Sequence, residues 1–426
     1  MYYDHLLKPA ELEFRNRARE FARSVDAELL RRMDRNEIEF PKELIKEMGR
    51  RRLLGARFPK QYGGSDLSWV GEAAALEEIG VLGSAATCVY SMPSIVGEAL
   101  NKFGTDEQKD KYLKPLLTGD VWAAEALTEP RGGSDFFGAT CTARLDGNDF
   151  ILNGHKRFIV GAKGADFFLV YCRTNFDPQA DKYARISLLL VERDRGVEVG
   201  SLYGLLGSRG TGTGRVVFKD VRVPRRSLVG GLNEGALIFN TMMVPERFGS
   251  VAAIGMARAA LEVAVRYTDR RVTFGQKIRK WQGVSFQVAD AITKLDAARG
   301  LYYIAASHLD AGLDSRRLVS EAKHFATDIN WQVCNIAMVI MGGISYTDVY
   351  PVEKFVRDAR LGQIWTGTEN VMRMLIQHEY YKELLSRGDQ CRAIEQDATN
   401  TLGMNEFEKV YADDDQEKLN TLTPVE

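Results

Sequence analysis

The stretch Ala126–Asp135, with the sequence ALTEPRGGSD, stands where the pattern of the chain changes. From about residue 8 to residue 120 the chain has a helical pattern. From about 125 to 230, β-branched and aromatic runs such as ADFFLVYC and RISLLLVE predict strands. Within the stretch itself, a turn is predicted on which Thr128 and Ser134 present short hydroxyl groups. The stretch therefore marks the entry into the β segment of an α+β protein.

Helical periodicity returns after Gly235 and is lost again at about Arg387. The chain then ends in an acidic patch around Asp413-Asp414-Asp415, which predicts a tail. Near the end of the first helical segment, Thr105 and Gln108 have the form of a capping box. The predicted segments are helical (1–124), β (125–232), helical (233–386) and an acidic tail (387–426).

The composition limits the class of protein. The chain has 426 residues, with 57 Lys and Arg against 58 Asp and Glu. This balance argues against nucleic acid as a partner, because dedicated nucleic-acid binders carry a basic excess. No apolar run of the ~18 residues needed for a membrane span stands out. The N-terminal residues lack the apolar region of a secretory signal. A cytoplasmic protein without a membrane span is therefore expected.

Neither metal-binding nor nucleotide-binding motifs are present. The five cysteines and five histidines are scattered, without C-x-x-C or H-E-x-x-H spacing, so no disulfide framework and no metal site are predicted. The glycine-rich run Gly204–Gly214 is followed by a strand-like segment, whereas a dinucleotide fingerprint opens a helix. No P-loop sequence occurs. The glycines are therefore interpreted as turns of the β segment.

Four segments, in order along the chain, resemble the acyl-CoA dehydrogenase family of flavoproteins. They are Ala126–Asp135; Lys156–Ile159; Arg270–Gly275 with Gln282; and Tyr350–Lys354 leading to Arg357–Ala359 and Gly367-Thr368. Val223-Pro224 and Gly230–Gly235 also match the end of the family's β domain. The similarity spans about residues 8–385. It implies an N-terminal helical domain, a middle β-barrel or sandwich domain and a C-terminal four-helix bundle, with FAD as cofactor and a homotetramer as the assembly.

The resemblance also implies which residues bind FAD. They are Leu127, Thr128, Phe158, Ile159, Val160, Arg271, Thr273, Phe274, Gln282, Gly342, Gly343, Thr368 and Asn370. The family uses the segment around Arg271 to hold the FAD of a neighbouring subunit, and a guanidinium can bridge pyrophosphate oxygens. Three positions depart from the family: Val160 replaces a common threonine, while Val339 and Asn370 each replace a glutamine. Taken singly, the threonines are also interpretable as caps of their own turns, and Arg271 as a solvated helix-end cation.

The catalytic base is expected at an unusual position. Most family members carry it directly before the Gly-Thr pair, where this chain has Thr366. The isovaleryl-CoA and long-chain branches instead carry a glutamate before an arginine, and Glu246-Arg247 matches that pattern. Pro245 predicts that Glu246 lies in the first turn of a helix, near its positive end. The alternative is that Glu246 only complements the helix dipole, a contribution of about 0.3–1 kcal/mol.

The resemblance implies a reaction and a class of substrate. Glu246 would take the α-proton of an acyl-CoA, the β-hydrogen would pass as hydride to flavin N5, and the product would be a 2,3-enoyl-CoA. The backbone N–H of Thr366 would hold the thioester oxygen. The substrate-binding residues are Ser134, Arg247, Trp365 and Gly367. A branched, bulky or aryl-substituted acyl chain is favoured, with an electron-transfer flavoprotein as acceptor. An oxidase or oxygenase of the same fold, and a catalytically silent scaffold, are the alternatives.

Overall fold

The computed structural model of the protein describes residues 3–387. Its α-helices are α1 (Pro9–Ser24), α2 (Ala27–Asp34), α3 (Lys42–Arg50), α4 (Trp69–Gly80), α5 (Ser84–Phe103), α6 (Asp106–Gln108), α7 (Lys114–Thr118), α8 (Gly235–Phe248), α9 (Ala252–Arg270), α10 (Gln282–Asp310), α11 (Arg316–Met341), α12 (Val352–Gly362) and α13 (Glu369–Arg387). Its strands are β1 (Ala123–Ala126), β2 (Thr142–Asp146), β3 (Asp149–Ile159), β4 (Phe167–Arg173), β5 (Ile186–Glu192), β6 (Glu198–Leu202), β7 (Gly214–Pro224), β8 (Leu228–Val229), β9 (Val272–Thr273) and β10 (Gln276–Lys277).

Seven helices precede the sheet, and α4 and α5 are the most deeply buried of them. The predicted capping box is confirmed at α6. The Gln108 backbone N–H donates to Thr105 Oγ1 at 3.2 Å, and the Gln108 side chain accepts from the Thr105 N–H at 3.1 Å. The same side chain donates to the carbonyls of Arg226 and Leu228 at 2.8 and 2.9 Å. One side chain thus caps a helix and ties it to the end of the β segment.

The β segment is a mixed sheet of eight strands in the order β6-β7-β3-β2-β4-β5-β8, with β1 pairing in parallel with β4. Strands β4 and β5 are buried over almost their whole length, since their faces are covered by other elements. The interpretation of the glycine-rich run as turns is confirmed. Gly210 and Gly212 have φ values of +80° and +62°, and β7 begins at Gly214.

The helices after the sheet include a bundle in which α9 packs against α10, α11 and α12. Their facing sides bury small and medium apolar residues, so that the helices approach closely. The expected N-terminal helical, middle β and C-terminal helical arrangement is confirmed. Residues through Gln377 form one compact unit. A second unit starts at His378, of which the structure describes only the end of α13, and the predicted acidic tail beyond Arg387 lies outside the described residues.

One apolar stretch was not expected. Among residues 3–387, the helical segment Gly235–Arg270 is long and apolar enough, by length and composition, to pass a test for a membrane span. Within this segment, 72% of the 18-residue window with high mean hydropathy is buried inside the fold. Core helices of folded domains pass the same test, so the finding is weak evidence for a span.

Candidate active site

A buried ion pair supports the turn that follows β1. Lys156, on β3, has no solvent exposure, and its Nζ donates to Glu129 Oε1 at 2.9 Å and to the carbonyl of Leu127 at 2.9 Å. Glu129 also accepts from the N–H and hydroxyl of Thr140 and from the N–H of Cys141, at 2.6, 2.6 and 3.0 Å. Every oxygen of this buried carboxylate is therefore paired. Both charged residues belong to the sequence motifs, but the motifs did not predict this structural role.

The predicted flavin-contacting residues lie on either side of this ion pair. The N–H of Arg157 donates to the carbonyl of Thr128 at 2.9 Å, which joins the β1 turn to the end of β3. Phe158 has a φ of +57°, a conformation that costs a non-glycine residue free energy and concentrates at functional sites. Its ring is 47% exposed. Ile159 is buried, and Val160 packs against the core.

Glu246 lies near the end of a helix, so its predicted place in the first turn is wrong. Helix α8 runs from Gly235 to Phe248 with Pro245 inside it. Burial of Ile238 and Met242 starts the helix well upstream, and the proline costs it only one backbone hydrogen bond. The helix-dipole alternative fails too, because Glu246 does not lie in a first turn, where the dipole would stabilise a carboxylate.

The carboxyl of Glu246 is buried beside a second carboxyl. Glu246 is 8% exposed, and among the described residues its Oε1 has no hydrogen-bond partner. Burial and the neighbouring Glu125 raise the pKa of Glu246 well above its ordinary value, although Arg247 opposes this. Burial also raises the pKa of Glu125 to about 7, against the opposing effects of its hydrogen bond with Glu246 and of Lys156. Glu125 was not predicted as a site residue, and its only signal in the sequence is a charge within the apolar strand Ala-Ala-Glu-Ala.

One turn of α11 holds both the Glu246 segment and the loop before α13. Arg247 is buried, and its Nη1 donates to Ser320 Oγ at 3.1 Å. Lys323, one turn further along the same helix face, donates from Nζ to the carbonyl of Gly367 at 2.8 Å. Glu246 and the loop that contains Gly367 are therefore brought to the same part of the structure.

Thr366 presents a backbone donor in this loop. Its φ is +50° and that of Gly367 is +90°, so the chain turns sharply here. Among the described residues, the N–H of Thr366 donates to no acceptor, and its buried hydroxyl has no partner. Trp365 is partly buried, and its N–H donates to the carbonyl of Leu361 at 3.2 Å. A free N–H on a loop that α11 brings to the same part of the structure as a buried carboxyl could polarise a carbonyl while a proton is taken from the adjacent carbon.

A second group of predicted residues lies on the β9–β10 hairpin and the start of α10. Phe274 and Gly275 form its two-residue turn with φ values of +51° and +77°, as a type I′ turn requires. The ring of Phe274 is 91% exposed. Arg271 and Gln282 are also exposed, whereas Thr273 is partly buried. Within residues 3–387, no hydrogen bond or ring contact joins this hairpin to the β1 turn.

The remaining predicted cofactor residues lie at helix ends. A Cβ added to Gly342, at the C-terminus of α11, or to Gly343 would meet no atom within 4 Å, so both leave an open backbone surface. Thr368 Oγ1 accepts from the N–H of Val371 at 3.3 Å and caps α13, which is the alternative left open by the sequence. Asn370 is exposed.

The predicted CoA-side residue, Ser134, is exposed on the β1 turn. Beside it, Arg131 and Asp135 form an exposed ion pair with Nη1 and Oδ2 2.5 Å apart. Arg131 also donates to the Asp135 carbonyl at 3.0 Å. The turn is thus fixed by its own side chains, and the Ser134 hydroxyl remains on its outer surface.

These residues fit a flavin. The polar edge of an isoalloxazine needs donors that are not already used, and the Thr128 hydroxyl has no partner among the described residues. The exposed ring of Phe158 can pack beside a planar ring system. Exposed Arg271 and the open Gly342-Gly343 backbone suit a pyrophosphate and its close approach. Among the described residues, no cluster of three or more potential ligands could hold a metal ion.

Three family models match the chain in succession. They are the acyl-CoA dehydrogenase N-terminal domain at residues 8–120, the middle domain at 124–221 and the C-terminal domain at 233–381. Together they account for most of the chain, in the order of the helical, β and helical segments.

Characterised relatives match over nearly their whole length. An acyl-CoA dehydrogenase of Bacillus subtilis is 37% identical, over 86% of this chain and 96% of its own. The 3-(aryl)acrylate reductase of Clostridium sporogenes is 35% identical, over 85% and 96%. The caffeyl-CoA reductase-Etf complex subunit CarC of Acetobacterium woodii is also 35% identical, over 85% and 96%.

Solved structures agree with this. Butyryl-CoA dehydrogenase from Megasphaera elsdenii superposes with a TM-score of 0.84 at 31% identity, over 88% of this chain and 99% of its own. The FAD complex of PigA superposes with a TM-score of 0.82 at 27% identity, over 88% and 99%. This chain belongs to the acyl-CoA dehydrogenase family of oxidoreductases.

Proposed function

We propose that this protein is an FAD-dependent acyl-CoA dehydrogenase in which Glu246 takes the α-proton of the acyl thioester. The observation that carries the proposal is the buried, unpartnered carboxyl oxygen of Glu246, held near a loop with a free backbone N–H. FAD supplies a two-electron acceptor for the β-hydrogen when it is bound. The product is a 2,3-enoyl-CoA.

The residues of the chain have separate tasks in this reaction. Glu246 breaks the α-C–H bond and keeps the proton, and its raised pKa brings its proton affinity closer to that of the α-carbon. The Thr366 N–H donates a hydrogen bond to the thioester oxygen and stabilises the negative charge that develops there. Arg247, fixed through Ser320 and through the Tyr302 hydroxyl on its carbonyl at 3.2 Å, positions Glu246.

The cofactor is held by residues from two places. Leu127, Thr128 and Phe158 would contact the flavin ring from the β1 side. The exposed Arg271, Phe274 and Gln282 would hold the FAD of a neighbouring subunit, together with the other predicted residues at the helix ends. The exposed rings of Phe274 and Trp281 support this, because their centroids lie 6.2 Å apart and form an apolar patch, and such patches mark interaction surfaces. A homo-oligomer, with the tetramer as the expected form, would complete the site.

The substrate is proposed to be an acyl-CoA with an aryl or bulky chain. An aromatic cluster of Phe136, Tyr171 and Phe239 supports this. The rings of Phe136 and Phe239 are stacked with centroids 3.9 Å apart, and the ring centroid of Tyr171 lies 5.3 Å from that of Phe136. Phe239 lies two turns before Glu246 on α8 and so faces the same way. The names of two relatives, an aryl acrylate reductase and a caffeyl-CoA reductase, point to the same class. The second name also supports an electron-transfer flavoprotein as the redox partner.

The test is anaerobic bleaching of the flavin in the purified holoenzyme by a panel of straight, branched, alicyclic and aryl-substituted acyl-CoAs. Aryl-substituted or bulky chains should bleach it fastest. Glu246→Gln, which keeps the shape but cannot take a proton, should slow bleaching by about 10²–10⁴-fold. Binding of the acyl-CoA by the variant, followed as a shift of the flavin spectrum, controls for a lost site.

Three outcomes would contradict the proposal. A panel without any bleaching would favour a silent scaffold. Full activity of Glu246→Gln would place the base elsewhere. Rapid reoxidation of the reduced flavin by oxygen, in preference to an electron-transfer flavoprotein, would make the protein an oxidase.

A further inference from the structure

Glu125 places a second carboxyl group beside the proposed base. It lies on β1, where it pairs in parallel register with Leu169 of β4. Tyr171 of β4 packs against Phe239 of α8 with ring centroids 6.0 Å apart, so α8 crosses the sheet next to β1. The hydrogen bond between the carboxyls of Glu125 and Glu246 is one cause of their altered pKa values. Among the described residues, one oxygen of each carboxyl is buried without any hydrogen-bond partner. Strand β1 and helix α8 thus aim two acidic side chains at one buried point.

The groups around the two carboxyls do not neutralise them. Arg247 on α8 lies near Glu246, and Lys156 on β3 lies near Glu125, but neither makes an ion pair with them within residues 3–387. Arg247 donates to Ser320, and Lys156 is paired with Glu129. Tyr171 on β4 is the remaining titratable group that faces both, and its buried hydroxyl has no partner in the described part of the chain.

Glu125 is partly buried as a residue, but one oxygen of each carboxyl is shielded from solvent. Two such carboxyls this close cannot both ionise at low cost, because like charges and burial both favour the protonated form. In other enzymes such pairs hold one proton between them and titrate in two steps that belong to the pair. We propose that Glu125 and Glu246 form a proton-sharing carboxyl pair, in which Glu125 is a positioning residue that sets the proton affinity of the base. This inference rests on the proposed role of Glu246.

The pair has a defined part in the reaction. With one proton between them, the two groups carry a single negative charge. When the α-C–H bond breaks, its proton forms an O–H bond on Glu246, and its electron pair stays on the α-carbon to become the new double bond as the β-hydrogen leaves with its own pair. The pair then holds two protons and is neutral, because the hydride would carry the unit of negative charge to the flavin of bound FAD. In reverse, Glu246 returns its proton to the α-carbon, so the same pair serves reduction of a 2-enoyl-CoA.

The first test measures the protons directly and needs no substrate. Infrared pH titration of the FAD-loaded protein follows the C=O stretch of protonated carboxyls, and difference spectra against Glu125→Gln and Glu246→Gln isolate the pair. Glu198→Gln, which removes an exposed carboxyl paired with Lys219, is the control for an ordinary glutamate. We expect a protonated carboxyl at neutral pH in the wild type, and its loss at lower pH in Glu125→Gln. Each variant could instead remove the titration of one carboxyl and leave that of the other unchanged. The two single titrations would then add up to the wild-type titration curve, the carboxyls would share no proton, and the inference would be wrong.

The second test separates a tuning role from a structural one. In dehydrogenation the unprotonated base is needed, so kcat/KM rises with pH through the pKa of the pair. Glu125→Gln removes the like charge, and the rise should move to lower pH. Glu125→Asp keeps the charge and should restore most of the wild-type profile. If both variants lower the rate without moving the profile, Glu125 is only structural.

The proposal and the inference fail in different ways. If the carboxyls titrate independently but acyl-CoA bleaches the flavin normally, the proton-sharing pair is wrong and the proposed dehydrogenase activity stands. A shared titration with no bleaching by any acyl-CoA would uphold the pair as a proton store and overturn the proposed activity.

Discussion

Lys156 stabilises the turn after β1 through its contacts with Glu129 and the Leu127 carbonyl. Its ammonium group is fully buried, and its partner Glu129 is the only carboxylate to which it is paired among the described residues. Replacing it by methionine would fill the space but leave the Glu129 carboxylate buried without its cation. We expect Lys156→Met to lower the free energy of unfolding by about 3–5 kcal/mol, as measured by denaturant titration of the holoenzyme.

Lys163→Met is the matched control for this prediction. Lys163 is half-exposed and its ion pair with Glu39, at 3.0 Å, is open to solvent, so the loss should be at most about 1 kcal/mol. Equal losses in the two variants would contradict the role given to Lys156. Burial raises the pKa of Glu129, but Lys156 and Thr140 outweigh it and hold that pKa below its ordinary value. The stabilisation is therefore present at neutral pH and is lost as the pH falls through the folded-state pKa of Glu129.

Single residues were the least predictable part of the site. The sequence predicts that Glu246 is present and that Thr366 cannot act as a base, but it does not place Glu246 beside Glu125. That proximity arises only because β1 pairs with β4 while α8 crosses the same region. A charge within an apolar strand was the available signal, since charged residues are seldom buried without a purpose. The roles assigned to the remaining site residues stay predictions.

The elements were more predictable than their ends. Strand composition located β4, β5 and β7, and the Thr105–Gln108 capping box located α6. The start of α8 was misplaced, because proline is common in first turns and the sequence does not show that packing extends a helix through one. Patterns report local preference, whereas tertiary packing decides where a helix begins.

The β9–β10 hairpin carries a prediction at the scale of an element. Its turn is short and its strands have two residues each, so its exposed side chains contribute little to the fold. We expect Arg271→Ala to weaken FAD retention during gel filtration while the melting temperature of the FAD-free protein stays unchanged. The physical reason is the loss of a bidentate contact to pyrophosphate oxygens.

Arg279→Ala is the control on the same part of the chain. Its exposed ion pair with Asp269, at 2.7 Å, should be worth little, and FAD should stay bound. Loss of FAD from both variants would show that general positive charge, rather than Arg271, holds the cofactor.

At the scale of the whole molecule, the predicted FAD residues form two groups, around the β1 turn and on the hairpin. Helical, β and helical patterning with four ordered motifs was enough to predict the fold, because periodicity located the three segments and the motifs indicated the family that shares their order. It was not enough to show whether both groups serve one FAD within a chain, since that depends on an interface. Apolar side chains left exposed on the hairpin and α10, such as Phe274 and Phe286, favour a neighbouring subunit.

Subunit complementation tests this directly. A site that takes Glu246 from one chain and Arg271 from its neighbour is broken in Arg271→Ala and in Glu246→Gln alone. The two variants are co-expressed with a different tag on each, and assemblies that carry both tags are purified. In a mixed pair, one site takes its native Glu246 from the Arg271→Ala chain and its native Arg271 from the Glu246→Gln chain. Each mixed pair that both tags select has one intact site of two, so we expect flavin bleaching to return to about half of the wild-type level in such pairs. If each chain instead binds its FAD with its own Arg271, every site in the mixture lacks one residue. Bleaching then stays at the level of the separate variants, and the shared site is wrong.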